Sequence, residues 1–521
     1  MKTYKILKRG ILAVLVIVGM SACDSGFQQI NKNPNSPTSA PATMTLPDAE
    51  HALMNQVYDA GMNMYVGGIW VQQYAKIQYT EEDRYDLSGR ANMINNDWDN
   101  LYRVNEDLKK IEEQAKTLGN DNVVAIAEIL TVYNYQNMTD LWGPIPYSQA
   151  LQGDASTPNV QPKYDSQKDV YTALIARIKA AAAMINPSKP SIGNQDLIYS
   201  GDMTKWKKLA NSLELRLYMR LSNVDPGTAE AGVKAVLQNG NLITSNDDNA
   251  GFHYKDYPYQ NPVGAWYNSR EDFKISITMA DTLKSLNDPR LPVYAIPVRN
   301  DSMKQAGDKY EGVQNGAANN SKPLGQVSDI GAYFIAPSCP GWLMTASEVK
   351  FFMAEAAIRG WYNYNGKTAS QLYNDAIKTS MQQFTADRLN AVLSSLNPSV
   401  PIFGNLQLDA SEFPTGVTQS QITNYLAQPS VQLSGSQAQQ LKQLAEQEWI
   451  ALYGQGFEAW TEYRRNGFTT LKPGPLAVLN QVPTRLTYPD NEQTLNSTNY
   501  QAAKGMLNGG DALTGTFYWE K

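Results

Sequence analysis

His51 and His253 are the only histidines in the chain, and neither has a second ligand at the spacing that an HExxH zinc enzyme requires. A zinc hydrolase is therefore not expected. The sequence also has no Gly-x-Ser-x-Gly elbow and no glycine-rich phosphate cradle, which sets aside the simplest serine-hydrolase and nucleotide readings. Asn246-Asp247-Asp248-Asn249 offers hard oxygen atoms, yet it lacks the alternation and closing glutamate of a calcium loop, so no metal is assigned to it. Glu81, Glu82 and Asp83 read as a solvated acidic turn. Glu458, Glu462, Arg464 and Arg465 read as ion pairs along one helix face, worth a few tenths of a kcal/mol each. Cys339 has no histidine near it in sequence to activate the thiol, and Asn105, on an apolar stripe, is expected to hydrogen-bond a neighbouring helix. A glycosidase needs only two carboxylates close in space, so acids on separate loops are the one hydrolytic arrangement that spacing leaves open.

What remains is binding by aromatic faces. The chain holds 30 tyrosines and 10 tryptophans, many beside Asn, Gly and Pro rather than inside apolar runs. A flat apolar ring with a polar edge suits core packing, and equally stacking on a sugar ring or a peptide side chain. The candidate binding residues are Tyr79, Arg84 and Tyr85 after the first long helix, then Tyr257, Tyr259, Trp266 and Tyr267, and finally Trp342. Each competes with a plain packing role.

The elements that must carry these residues are mostly helical. Trp98, Leu101, Tyr102, Asn105 and Leu108 repeat at i, i+3, i+4, i+7, and similar stripes run through Val123–Tyr133, Val170–Ile185 and Trp206–Leu217. Glu348 to Met381 spans about 34 residues, the period of a tetratricopeptide helix pair. Trp449, Leu452 and Tyr453, followed after Gly454 and Gly456 by Phe457 and Trp460, form a tighter pair closed by Gly467. The expected fold class is mainly α, with tetratricopeptide-like helical hairpins separated by long irregular loops at 240–272, 296–344, 384–434 and 468–521. Loops of that length are uncommon unless functional.

The amino terminus gives the location. Lys2, Lys5, Lys8 and Arg9 precede an apolar run from Ile11 to Met20, and Met20-Ser21-Ala22-Cys23 follows. A run of about ten apolar residues is too short for a transmembrane helix, and a small-residue pair before cysteine reads as a lipoprotein cleavage site with an acylated Cys23. Residues 1–22 are then a signal peptide, 23–44 a lipidated start and tether stiffened by Pro34 and Pro37, and 45–521 one binding domain with loop insertions. Net charge is −6 with both signs interspersed, so no nucleic-acid footprint is present. With Cys23 lipidated, Cys339 is left without a disulfide partner.

Several segments together resemble the SusD-like (SusD/RagB) outer-membrane lipoproteins. They are Cys23 with Phe27-Gln28-Gln29-Ile30-Asn31 and Asn33–Thr38, Trp98 to Asn105, Asp140-Leu141-Trp142-Gly143-Pro144-Ile145-Pro146-Tyr147-Ser148, Glu348–Ala356, Glu448–Leu452, Trp460 through Gly467, and Arg485 with Tyr488–Glu492. The resemblance implies four tetratricopeptide-like helix pairs with a ligand surface built from variable loops. It also implies a cofactor-free, non-enzymatic protein, lipid-anchored at the outer membrane and facing outward. Such a protein passes an oligomeric nutrient, a glycan before a peptide, to a SusC-like TonB-dependent transporter. Asp24 after the cysteine is compatible with the export signals of that lineage, and a surface-anchored hydrolase is the competing class.

Overall fold

The computed structural model describes residues 41–153, 157–255, 258–267, 269–396, 408–467 and 471–520. Cys23, the tether to residue 40 and Tyr257 lie outside them. Ten helices carry the architecture: α1 (Ala42–Tyr58), α2 (Ala91–Thr117), α3 (Asp121–Trp142), α4 (Gln167–Met184), α5 (Met203–Arg220), α6 (Pro226–Asn239), α7 (Ala346–Ile358), α8 (Ala369–Gln382), α9 (Gln437–Ala451) and α10 (Gly456–Asn466). α2 packs on α3, α4 on α5, α7 on α8 and α9 on α10, which yields the four expected hairpins, flanked by α1 and α6. Their starts are chemically marked. Ser166, Asp202 and Asp225 accept backbone N–H bonds at the first turns of α4, α5 and α6, and Thr368 and Ser436 form capping boxes on α8 and α9. α3 stops at Gly143, whose φ of 83° favours glycine and whose missing side chain leaves room for the Phe517 ring.

The expected loops are less irregular than their composition suggests. Short helices at Pro262–Tyr267, Asp301–Ala306, Ala332–Ile335, Ala386–Leu393, Gln419–Leu426 and Ser497–Gly505 punctuate them. Two antiparallel ribbons pin them to the helical body: β1 (Tyr74–Lys76) with β3 (Phe273–Ile275), and β2 (Ala250–Phe252) with β4 (Gly341–Met344). Apolar stripes are weak in these stretches because none of these helices is longer than nine residues, too short for a repeating pattern to build up. A π-helical segment, Ala60–Gly68, lies between α1 and β1. Gly67 and Gly456 face each other there, and a Cβ on either would overlap the other segment's backbone. Asn63 Oδ1 accepts the Gly456 N–H at 2.7 Å across the same contact.

The residues read as surface ion pairs on α10 are instead the buried centre of the helical body. Arg220 on α5 pairs with Glu458 at 2.6 Å and with Glu462, both on α10, and Arg216 pairs with Glu348 on α7 at 2.6 Å. Arg465 bridges Glu355 at 2.7 Å and Glu462 at 2.6 Å. Arg464 lies 3.6 Å over the Trp460 ring and pairs with Glu520 at 3.0 Å. Helical spacing showed that these charges share a face but not that the face turns inward. Burial changes their energetics: removing one partner of such a pair costs about 3–5 kcal/mol, because the other charge is left uncompensated. Arg465 and Arg359 hold the Glu355 carboxyl down to about 2 against the opposing effect of burial. Glu448 on α9 has the opposite fate. It is buried with no hydrogen-bond partner for either carboxylate oxygen among the described residues, and burial pushes its pKa up to about 8. Asn105 does reach the neighbouring helix, donating to Met138 Sδ at 3.3 Å. Cys339 is buried rather than loop-exposed, and burial alone raises its thiol pKa.

Candidate functional site

The acidic turn at Glu81–Asp83 is a buttress, not a solvated loop; only Glu81 is exposed. Glu82 is buried against Lys76 at 2.8 Å and also pairs with Arg90, while Asp83 accepts the Lys76 N–H at 2.6 Å and Asn315 Nδ2 at 3.0 Å. Burial lifts the Asp83 pKa to about 7. Lys76 and Arg90 are near neighbours in sequence, but Asn315 comes from a loop more than two hundred residues away, and the burial of the turn depends on the pairing of β1 with β3, so local sequence did not show that these acids turn inward. The buttress supports a tight turn with Tyr79 at its tip. Gln78 donates to Asn320 Oδ1 at 2.8 Å, the Thr80 N–H donates to Asn319 Oδ1 at 3.2 Å, and the Thr80 hydroxyl donates to Ala317 O at 3.1 Å.

Bracketed in this way, Tyr79 takes a left-handed φ of 55° while 54 % of its surface stays exposed. A bulky residue at positive φ is strained by about 1–3 kcal/mol, and such strain persists where the surroundings over-determine the backbone. The Arg270 guanidinium lies 4.3 Å over the Tyr79 ring and 5.6 Å from the half-buried Trp266 ring, with Asp272 as its ion-pair partner. Tyr65 meets Trp266 edge-on at 5.8 Å and stacks on Phe273 at 5.5 Å. The result is a rigid aromatic platform with Tyr79 displayed to solvent.

Two other candidates are absent from the platform surface. Tyr85 is buried at φ 64° against Trp70, and Tyr267 is fully buried, its hydroxyl donating to Phe273 O. Their large apolar rings fill the core beneath the platform, so their binding role is corrected to packing. Arg84 is half-buried and donates to Ala317 O at 3.4 Å, which bolsters the Tyr79 turn from below. Arg270 was missed in the sequence; its only local sign is Asp272 two residues on.

Tyr259 and Trp342 come together elsewhere, at a cleft of about 840 Å³ between α1, the segment leading into α5, β2 and the helix at Ala386–Leu393. The cleft floor is fixed. The Trp342 ring lies across Gly251 of the paired strand, where any Cβ would collide with it. The Tyr58 hydroxyl accepts the Trp342 N–H at 2.6 Å and donates to its carbonyl at 3.0 Å. One wall stacks Phe252, His51 and Tyr259, with His51 centred 5.6 Å and 5.5 Å from the two rings, and Tyr259 is 57 % exposed. His253 meets Trp342 edge-on at 6.3 Å. Burial lowers the pKa of both histidines; Lys205 lowers His253 further, whereas Asp48 opposes the shift at His51. Both imidazoles of the chain thus converge on one cleft, although their sequence separation gave no hint of it.

Neither place holds a cluster of three or more metal-ligating side chains among the described residues. No helix among them is long and apolar enough to cross a membrane.

A SusD-like family model, described as starch-binding and associating with the outer membrane, matches residues 34–489. No curated protein matches in sequence. Among solved structures, a chitin-binding protein is 28 % identical with a TM-score of 0.77, over 92 % of this chain and 100 % of that one. A SusD homolog from Bacteroides uniformis is 25 % identical with a TM-score of 0.73, over 92 % and 99 % of the two chains. A chitin-binding SusD homolog from Flavobacterium johnsoniae, at 24 % identity and a TM-score of 0.72 over 91 % and 98 %, shares the fold.

Proposed function

The chain belongs to the SusD-like family, and from that premise we propose that it is a non-enzymatic, glycan-binding lipoprotein that hands its ligand to a SusC-like TonB-dependent transporter. One observation carries the binding reading: Tyr79 is held exposed at a strained backbone angle on a pre-built aromatic platform. A platform that does not have to be ordered on binding loses little conformational entropy when a ligand arrives, so stacking energy appears as affinity. Sugar rings fit it well, since their C–H faces stack on aromatics while their hydroxyls find polar groups at the edge, here the Arg270 guanidinium. The starch description of the family and the chitin-binding relative favour a glycan over a peptide.

In this reading residues 1–22 are removed, Cys23 carries lipid, residues 23–44 form a tether, and 45–521 act as a single binding domain at the outer membrane, facing outward. The test is calorimetry of the mature chain against starch, chitin and peptide oligomers. Binding of at least one glycan class, weakened by Tyr79→Ala and without turnover, is expected. Binding of peptides alone refutes the glycan assignment, and hydrolysis of a bound glycan refutes the non-enzymatic one.

A further inference from the structure

The cleft floored by Trp342 is a second aromatic site, and its charges differ from those of the platform. Three of its lining residues are basic and three acidic, yet they are not equally available. Asp196 is fully buried and satisfied by four donors: the N–H groups of Ile198 at 2.9 Å, Tyr199 at 3.0 Å and Gly201 at 2.8 Å, and Trp206 Nε1 at 2.6 Å. Asp247 is engaged by Arg388. Asp48, beside His51, is the remaining carboxylate.

On the basic side, Lys205 donates to the backbone carbonyl of Asp247 at 2.8 Å, and neither Lys205 nor Lys255 has a carboxylate partner among the described residues. Lys205 also lies 5.9 Å over the Tyr199 ring, and it lines the same cleft as His253, which meets Trp342 edge-on, so a cation without a carboxylate partner shares the cavity with the aromatic floor. The Arg388–Asp247 pair is solvent-exposed on the aspartate side. An exposed pair of this kind is worth about 1 kcal/mol or less, so Arg388 can exchange Asp247 for a ligand anion at little cost. Asn249, buried in the cleft wall, leaves its Nδ2 donor without a partner.

We infer that this cleft is a second saccharide site, selective for glycans that carry a carboxylate or sulfate, with the sugar ring on Trp342 and the anion held by Lys205 and Arg388. This rests on the glycan-binding reading above and adds a ligand class and a place to it. Lys255 at the rim raises the local concentration of the anion, and Asp48 at the far end disfavours a second negative group close to His51.

The test is calorimetry on the mature chain with size-matched oligosaccharides: an oligogalacturonate for carboxylate, a chondroitin-sulfate oligomer for sulfate, and neutral malto- and chito-oligomers. At least one anionic oligomer is expected to bind about tenfold or more tighter than its neutral counterparts, and to weaken as salt is raised. The double variant Lys205→Gln/Arg388→Gln should erase that preference and leave neutral-glycan binding on the Tyr79 platform intact. Tyr79→Ala should spare the anionic ligand, whereas Trp342→Ala should not. Whichever anionic arm binds identifies the carboxylate or the sulfate as the group recognised. Neutral binding with no anionic preference, or a preference that survives the Lys205/Arg388 double substitution, overturns this inference alone. Failure of every glycan to bind overturns it together with the reading on which it rests.

Discussion

Glu448→Gln should stabilise the protein by an amount that grows with pH. In the folded chain Glu448 is buried, unpartnered, and titrates at about 8 against an ordinary value of 4.5. Burial is the dominant cause; Glu355, Glu348 and Glu458 add to it and Arg465 opposes it. A carboxyl whose folded pKa is raised binds more protons in the native than in the unfolded state, so it costs stability progressively as pH rises from 4.5 to 8. At about 1.4 kcal/mol per unit, the cost at pH 7 is about 3 kcal/mol and near pH 8 about 4–5 kcal/mol. Glutamine keeps the shape and never ionises, so the variant escapes this cost. Glu520 is also raised, to about 8, but it remains in the variant and cancels in the difference, whereas Glu348, raised to about 7, is relieved of the Glu448 charge and adds to the gain at high pH. Urea unfolding of the two proteins between pH 5 and 9 gives the difference directly. It should be about 1 kcal/mol or less at pH 5 and rise steeply to pH 8. A difference independent of pH would show that Glu448 is paired or hydrated in the native state.

Three further outcomes follow from the same geometry. Arg220→Ala removes the cation shared by Glu458 and Glu462 and should lower stability by about 3–5 kcal/mol in the same urea assay at pH 7; a loss under 1 kcal/mol would place water in the network. Tyr79→Gly should separate stability from function, raising stability by up to about 1 kcal/mol through relief of the left-handed backbone while weakening glycan binding on the platform. Gly251→Ala should push the Trp342 ring off its strand, leaving the helical body folded by circular dichroism but changing tryptophan fluorescence and abolishing binding in the cleft.

The helical hairpins were legible where a long helix buries one face, as α2 does through Trp98–Leu108; α3 and the second half of α5 are buried nearly all round, and there the apolar stripe marks only part of the packed surface. The end of α3 is also a local matter, since Gly143 supplies the positive φ and Pro144 cannot continue the helix. Among the aromatic candidates, sequence could name Tyr79, Trp266, Tyr259 and Trp342 as rings outside apolar runs, but could not divide them between two faces. Nor could it separate them from Tyr85 and Tyr267, whose neighbours in sequence look alike and whose rings point inward. The largest misreadings concern charge. Glu82 and Asp83 meet Lys76 and Asn315, and Arg465 meets Glu355, across 110 residues in the last case. The sign of a side chain is local, but its burial depends on which element lies opposite.

The meeting of the π-helical segment with the start of α10 sets the order of events in folding. Asn63 and Gly456 are 393 residues apart, and the Trp449 indole donates to Val71 O across a similar span. Contacts of such separation are late and slow to form, because the intervening chain must be confined before they contribute anything. The strand and turn that carry Tyr79 follow directly on that segment, so the ligand platform matures only once the carboxy-terminal hairpin has arrived. A chain truncated before residue 456 should keep much of its helical content and lose the platform.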